Sequence, residues 1–179
     1  IFGLVLGYFL IMQLGYKTYH SWQRLSRIPV MIFAHLALAF IVFGITLNIA
    51  YSSEISLVMK PKDEVSIYAG KLQLEGVNYE DKKSFFSQKG KFIFSDEYGN
   101  WTLYPELRSF KSSKTTLAKV AIAVTPWRDI YLVMGEWLDQ NQWGVKVYFR
   151  PMVRWIWMGF ILLAMVGFLR FFSIRVREW

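Results

Sequence analysis

A chain of 179 residues that is 54% hydrophobic and 18% aromatic is more apolar than an ordinary soluble domain. It has no cysteine, which excludes disulfides, zinc–thiolate sites, iron–sulfur ligation and a thiol nucleophile, so any thiol chemistry takes its sulfur from a partner. The net charge of +8 is no nucleic-acid footprint, because no basic, aromatic patch stands apart from acids; it tracks the ends of apolar runs instead.

In chain order, residues 1–16 read as an apolar helix too short to span alone, expected to be the truncated end of a transmembrane helix. The first 50 residues lack a charged region followed by a small-residue cleavage site, so no removable signal peptide is expected. Residues 17–28, with Lys17, His20, Arg24 and Arg27, read as a polar loop, and His20 beside Ser21 and Gln23 as a solvated residue. Residues 29–50 form an uncharged apolar run that opens on Pro29, which suits a first helical turn because its missing N–H costs nothing there. About 20 such residues at ~1.5 Å rise cover a ~30 Å hydrocarbon core. Residues 151–172 form a second span, with Trp155 and Trp157 as an interfacial belt, and 173–179 a basic tail. Lys17, Arg24 and Arg27 precede one span and Arg170, Arg175 and Arg177 follow the other, which places these flanks in the cytoplasm and 51–150 outside. Arg150 and Arg154 are exceptions to that bias.

Every acid except Glu178 lies in 51–150, so that segment is close to neutral. It reads as β structure, with strands expected at Ile55–Met59, Glu64–Ala69, Lys71–Val77, Lys91–Ser95, Trp101–Tyr104, Leu117–Val124, Asp129–Met134 and Gly144–Phe149. Turns are expected at Lys60–Asp63, Ser87–Gly90, Asp96–Asn100 and Asp139–Gln142, and solvated loops at Asp81–Ser84 and Lys111–Lys114. The expected fold is membrane α-helical plus all-β: two full transmembrane helices and one truncated, with a small external antiparallel β barrel or sandwich between the last two spans.

One residue interrupts the apolar pattern. His35 stands inside the 29–50 run, and an ionisable side chain at membrane depth costs roughly 2 kcal/mol or more, so such residues face a bundle interior, a cavity or a cofactor. On the residues alone, a cofactor or proton-relay role stands level with a hydrogen-bonded packing role. Arg108, Arg128, Asp129 and Glu136 read as surface charges or structural ion pairs, since each has oppositely charged neighbours.

An ordered series of motifs carries a resemblance. Ala34-His35-Leu36, Asn48-Ile49-Ala50-Tyr51-Ser52-Ser53-Glu54, Tyr104-Pro105-Glu106-Leu107-Arg108, Arg128-Asp129-Ile130-Tyr131, Gly135-Glu136 and Tyr148-Phe149-Arg150-Pro151-Met152-Val153-Arg154-Trp155-Ile156-Trp157 together resemble the C-terminal portion of the CcmF family, over most of residues 30–170. That family comprises the membrane haem lyases of the bacterial System I cytochrome c maturation pathway. The resemblance implies an inner-membrane protein that takes haem from the chaperone CcmE and joins it to the two thiols of a Cys-x-x-Cys-His site in apocytochrome c. A CcmH-type partner would handle the thiols. It implies that His35 is one of two axial ligands of a b-type haem. The second ligand and the tryptophan-rich segment that handles substrate haem have no counterpart here; Trp127-Arg128-Asp129 is only superficially similar to the latter. The chain is therefore expected to carry no complete active site, and no catalytic residue is assigned. Where relatives of the family tend to show Thr-Glu-Ala, this chain has Ala118-Lys119-Val120. The alternatives are a cofactor-free membrane docking module, or a transporter part in which His35 relays protons.

Overall fold

The computed structural model describes residues 2–20, 28–67, 70–138 and 141–175. They form two compact units, one from residues 1–52 and 151–179, the other from 53–150. The first contains three helices, α1 (Phe2–His20), α2 (Ile28–Tyr51) and α3 (Val153–Arg175). Two of them, over Val30–Tyr51 and Val153–Phe171, are long and apolar enough to cross a membrane, while the apolar part of α1 is limited to Gly3–Gln13. α1 continues through His20, four residues beyond its expected end, so His20 closes a helix instead of lying in a loop. The rest of the expected loop, 21–27, and the tail from 176 onwards lie outside the described residues.

Small residues let these helices touch. A Cβ on Gly159 would lie 2.8 Å from the Ala37 carbonyl oxygen, and one on Gly44 3.1 Å from the Ile156 amide nitrogen, so α2 and α3 meet backbone to backbone. Beside this seam Trp155 packs edge to face on Phe40, with ring centroids 5.2 Å apart. Trp155 is thus half-buried, while its expected belt companion Trp157 is 65% exposed. At the end of the seam Asn48 donates from Nδ2 to the Pro151 carbonyl at 2.8 Å, and Ser52 donates its hydroxyl to the Asn48 carbonyl. On another side of α2, Gly3 and Gly7 of α1 come against Thr46 and Phe43.

The second unit is an antiparallel β-sandwich of ten strands: β1 (Ser53–Met59), β2 (Glu64–Ile67), β3 (Gly70–Asp81), β4 (Phe85–Asp96), β5 (Gly99–Leu103), β6 (Glu106–Phe110), β7 (Thr116–Lys119), β8 (Ala121–Val124), β9 (Arg128–Leu138) and β10 (Gln142–Pro151). One sheet runs β1-β10-β9-β8; the other runs β2-β3-β4-β6-β7, with β5 pairing β4 alongside β6. The alternative of a barrel is resolved in favour of two separate sheets. Period-two alternation drives the architecture: Trp143, Val145 and Val147 of β10 and Ile130, Leu132 and Met134 of β9 share one core with Leu72, Leu74, Phe92, Phe94 and Leu103 of the other sheet.

Three expectations need correction. Ser87–Gly90 is not a turn: β4 runs unbroken from Phe85, its register with β3 extends to Phe86↔Asp81, and the hairpin turns at 82–84. Leu117–Val124 is not one strand: the chain changes sheets at Val120, β7 pairing β6 and β8 pairing β9. Glu106–Phe110, assigned no strand, pairs β4 over Phe85–Lys89, while β5 pairs it over Phe92–Asp96. Tyr104-Pro105 lies between β5 and β6, because proline cannot continue a ladder of donors; its carbonyl instead accepts the Gly90 N–H at 3.0 Å. Of the remaining turns, Lys60–Asp63 closes with the Asp63 carboxylate accepting the Lys60 N–H, 2.8 Å, and Lys62 at φ 75°. The turn after β4 is tighter than expected, with Gly99 at φ 140° and Asn100 already in β5. Positions 68–69 and 139–140, parts of an expected strand and turn, lie outside the described residues.

The sheets are tied by a buried ion pair. Arg128 Nη2 of β9 donates to Asp96 Oδ2 at the end of β4, 2.5 Å, with the side chains 11% and 0% exposed. The guanidinium lies over Tyr98 and Phe149, 5.2 and 5.6 Å from their ring centroids. Arg128→Ala is expected to cost about 3 kcal/mol, because it leaves a buried carboxylate without its cation. Thermal melting of the variant checks this, and an unchanged melting temperature would count against the pair as an inter-sheet tie.

Candidate functional site

His35 lies two turns into α2 and is half-buried. Its Nδ1 is 2.8 Å from the Met31 carbonyl oxygen one turn back. A carbonyl only accepts, so the proton of the neutral ring sits on Nδ1 and Nε2 keeps its lone pair. The same arrangement fixes the tautomer of metal-ligating histidines generally. Nine residues, two and a half turns, separate His35 from Gly44, so the imidazole leaves the side of α2 opposite the α3 seam. Its stripe continues at helical spacing through Ala39, Val42 and Thr46. Ala39 is buried, the Thr46 hydroxyl is taken up by the Val42 carbonyl at 2.7 Å, and Gly3 of α1 approaches Thr46. The imidazole and the Thr46 hydroxyl are thus the polar groups on an otherwise apolar stripe, and the hydroxyl is already satisfied within the helix.

Among the described residues no three His, Asp or Glu side chains gather as a metal ion would require. Axial haem ligation has a smaller demand: one neutral imidazole with an outward nitrogen, in apolar surroundings. His35 meets it.

The other singled-out residues lie in the sandwich and serve its architecture. Glu106 of β6, only 6% exposed, accepts from Ser87 Oγ at 2.7 Å and from Arg108 Nε and Nη2, both at 2.8 Å. Arg108 in turn covers the Phe85 ring. Asp129 is buried, which excludes a surface charge and leaves the other expected reading, a structural role. Burial, and after it the Asp129 carboxylate, push the ionisation of the neighbouring Tyr131 phenol above its ordinary range, and Arg150 opposes both. Glu136 is exposed on β9. Sequence reasoning missed Ser87, although extending the alternation of Lys91–Ser95 backwards would have put Phe85, Ser87 and Lys89 on one strand face.

Residues 50–151 match the family model described as the CcmF C-terminal beta-sandwich, more than half of the chain. The chain belongs to the CcmF family. It is 32% identical over 148 residues to the cytochrome c-type biogenesis protein CcmF of Haemophilus influenzae, covering 82% of this chain and 23% of that protein. It is 31% identical over 149 residues to CcmF of Escherichia coli K12, covering 83% and 23%. A solved structure named cytochrome c heme lyase CcmF has the same fold, with TM-score 0.73 at 15% identity over 92% of this chain and 29% of that one. The chain thus spans about a quarter of the length of these proteins, and its CcmF homologues are cytochrome c-type biogenesis proteins.

The Glu106 site has a measurable consequence within this CcmF sandwich. The hydrogen bonds from Arg108 are the main cause of a Glu106 pKa of about 2; burial opposes them, while Ser87 and the charges of Arg108 and Lys119 assist. A folded-state value below the ordinary 4.5 means that the carboxylate stabilises the fold above about pH 4.5 and loses that contribution as pH falls towards 2. Glu106→Gln should flatten the loss of stability between those values in an acid titration followed by circular dichroism. An acid profile as steep as that of the parent would show that another group governs it.

Proposed function

We propose that this chain is the part of a membrane cytochrome c haem lyase that supplies one axial ligand of a b-type haem and carries a periplasmic docking domain. The single observation that carries the reading is the His35 imidazole on α2, held by Met31 so that Nε2 remains the acceptor nitrogen. Membership in the CcmF family supports the haem-handling context. The spans are taken to lie in the bacterial inner membrane, with residues 51–150 outside, on the two long apolar helices and the basic residues flanking them.

In this reading His35 binds and orients, and the apolar stripe of Ala39 and Val42 restricts water around it. When bound, a b-type haem supplies a one-electron couple that keeps the substrate haem iron reduced. The thioether bonds themselves need no leaving group: each S–H of the Cys-x-x-Cys-His site adds across a haem vinyl double bond. Both thiols belong to apocytochrome c, which accords with a chain that has no cysteine. CcmE as the haem donor and a CcmH-type thiol partner complete the scheme. Residues 51–150 contain neither His nor Cys, so they hold no imidazole or thiolate ligand and no nucleophile–histidine pair. Their part is contact and positioning.

Two measurements test the reading. In the full-length protein, His35→Ala should lower b-haem retention at least about tenfold, while His35→Gly should regain the reduced haemochrome spectrum on addition of imidazole. Unchanged haem content in the Ala variant would sink the ligand assignment, and flux driven by a pH gradient in a haem-free protein would favour the transporter. A cysteine at the exposed Ser112, in the turn after β6, should be labelled from the periplasmic side. Labelling from the cytoplasm alone would reverse the orientation.

A further inference from the structure

β7 (Thr116–Lys119) is the last strand of its sheet, and every residue from Lys111 to Val120 is exposed. Among the described residues no strand pairs with its outer side. Its inner side is fixed: Phe110 N–H donates to the Thr115 carbonyl at 2.9 Å. In an antiparallel ladder bonded and non-bonded rows alternate. Arg108↔Leu117 and Glu106↔Lys119 are then the bonded rows, and Thr116 and Ala118 turn their N–H and C=O outward.

A charge row crosses the same place. Lys89 of β4, Glu106 of β6 and Lys119 of β7 are direct cross-strand partners and so share one face of the sheet. Glu106 in the middle is already matched by the two-pronged contact from Arg108. Lys119 adds its charge to that of Arg108 around the one carboxylate, so with Lys89, which is exposed like Lys119, this face holds more positive charge than Glu106 balances. Neither closes an ion pair among the described residues, and the Lys89 ammonium rests 4.9 Å from the centroid of the exposed Tyr104 ring. Leu117 adds an exposed apolar side chain beside them.

We propose that the outer edge of β7 accepts an extended, acidic segment of a partner polypeptide as an added strand, its main chain on Thr116 and Ala118 and its carboxylates beside Lys119 and Lys89. An open edge specifies an extended backbone, since nothing else pairs with outward N–H and C=O groups at strand spacing. The lysines specify the charge. A second copy of this chain fits poorly, because its β7 and the turn before it bring Lys119 and Lys114 against the same lysines. An anionic lipid headgroup answers the charge but offers no strand. This edge stands independently of the haem ligand.

The probe is a fluorescent twelve-residue peptide of alternating Glu and Val, with a Lys-and-Val peptide as control, titrated by anisotropy against the full-length protein in neutral phosphatidylcholine nanodiscs. The acidic peptide should bind and weaken with salt. The double variant Lys89→Ser, Lys119→Ser should bind it about tenfold less well, as loss of two exposed charge contacts implies. Ala118→Pro should do the same with its lysines intact, because it removes an outward N–H while leaving the β6 ladder. Both variants should keep the parent's melting temperature, so that loss of binding is not loss of fold. Equal binding of the Lys peptide, full binding by Ala118→Pro, or a lysine variant that merely dimerises while the parent binds no peptide would each overturn the proposal. So would phosphatidylserine vesicles that capture Ala118→Pro as well as the parent and displace the peptide.

Discussion

The sandwich depends on the pairing of Arg128 with Asp96, because it is a bond between sheets at a point where neither side can do without it. Asp96 ends β4 and also accepts the Tyr98 N–H at 2.7 Å, so one carboxylate fixes both the turn into β5 and the approach of β9. Desolvating two charges costs several kcal/mol per ion, and their attraction offsets this only when further contacts satisfy them. Tyr98 and Phe149 provide such contacts for the guanidinium. Thr125 prepares the entry to β9: its hydroxyl donates to the Arg128 carbonyl at 2.7 Å and its N–H to the same oxygen at 3.0 Å. The Arg128-Asp129-Ile130-Tyr131 stretch is thus an architectural motif, with Ile130 in the core and Arg128 at its rim.

The helical unit is built on the opposite logic. In the proposed membrane setting apolar burial between helices offers little, so association would rest on close approach and on a few polar contacts. Gly44 and Gly159 bring α2 and α3 to backbone distance, and Asn48 anchors the end of the seam to the Pro151 carbonyl, next to the bend where Met152 takes φ 61°. A larger side chain at either glycine meets main-chain atoms, which cannot yield as a flexible side chain would. His35 lies off this seam, so the contact that holds α2 to α3 and the group proposed for chemistry occupy different faces of one helix.

Much of this was legible in the sequence. Unbroken apolar runs mark α2 and α3, and alternation marks β1, β9 and β10, because burial on one face writes itself into every second residue. What was not legible shares a cause. Ser87, Gln88, Lys89 and Gly90 have the composition of a turn, yet tertiary pairing holds them in a strand: Ser87 is satisfied by Glu106, and Gly90 leaves room for the Phe92 ring. The change of sheets at Val120 leaves no mark either, since Leu117–Val124 is continuously strand-like and only its partners differ. The burial of Asp129 and Glu106 likewise depends on residues far away in sequence. His35 could be singled out, but its tautomer could not, because that rests on the direction of one ring nitrogen toward Met31.

That ring nitrogen decides how the energetics of His35 are to be read. Placing an imidazole in an apolar helix costs roughly 2 kcal/mol or more. A hydrogen bond such as that to Met31 returns about 1 kcal/mol and satisfies the donor alone. The acceptor nitrogen is the side on which the remainder would be recovered, and a metal centre recovers it more fully than a packing contact, since iron takes the lone pair directly. A packing role asks only that Nδ1 be satisfied, and serine or threonine could bond back to the i−4 carbonyl at smaller cost, as Thr46 does with Val42. The use of histidine where a hydroxyl would suffice for packing is the chemical argument behind the proposal that Nε2 takes a ligand and that α2 helps to hold haem.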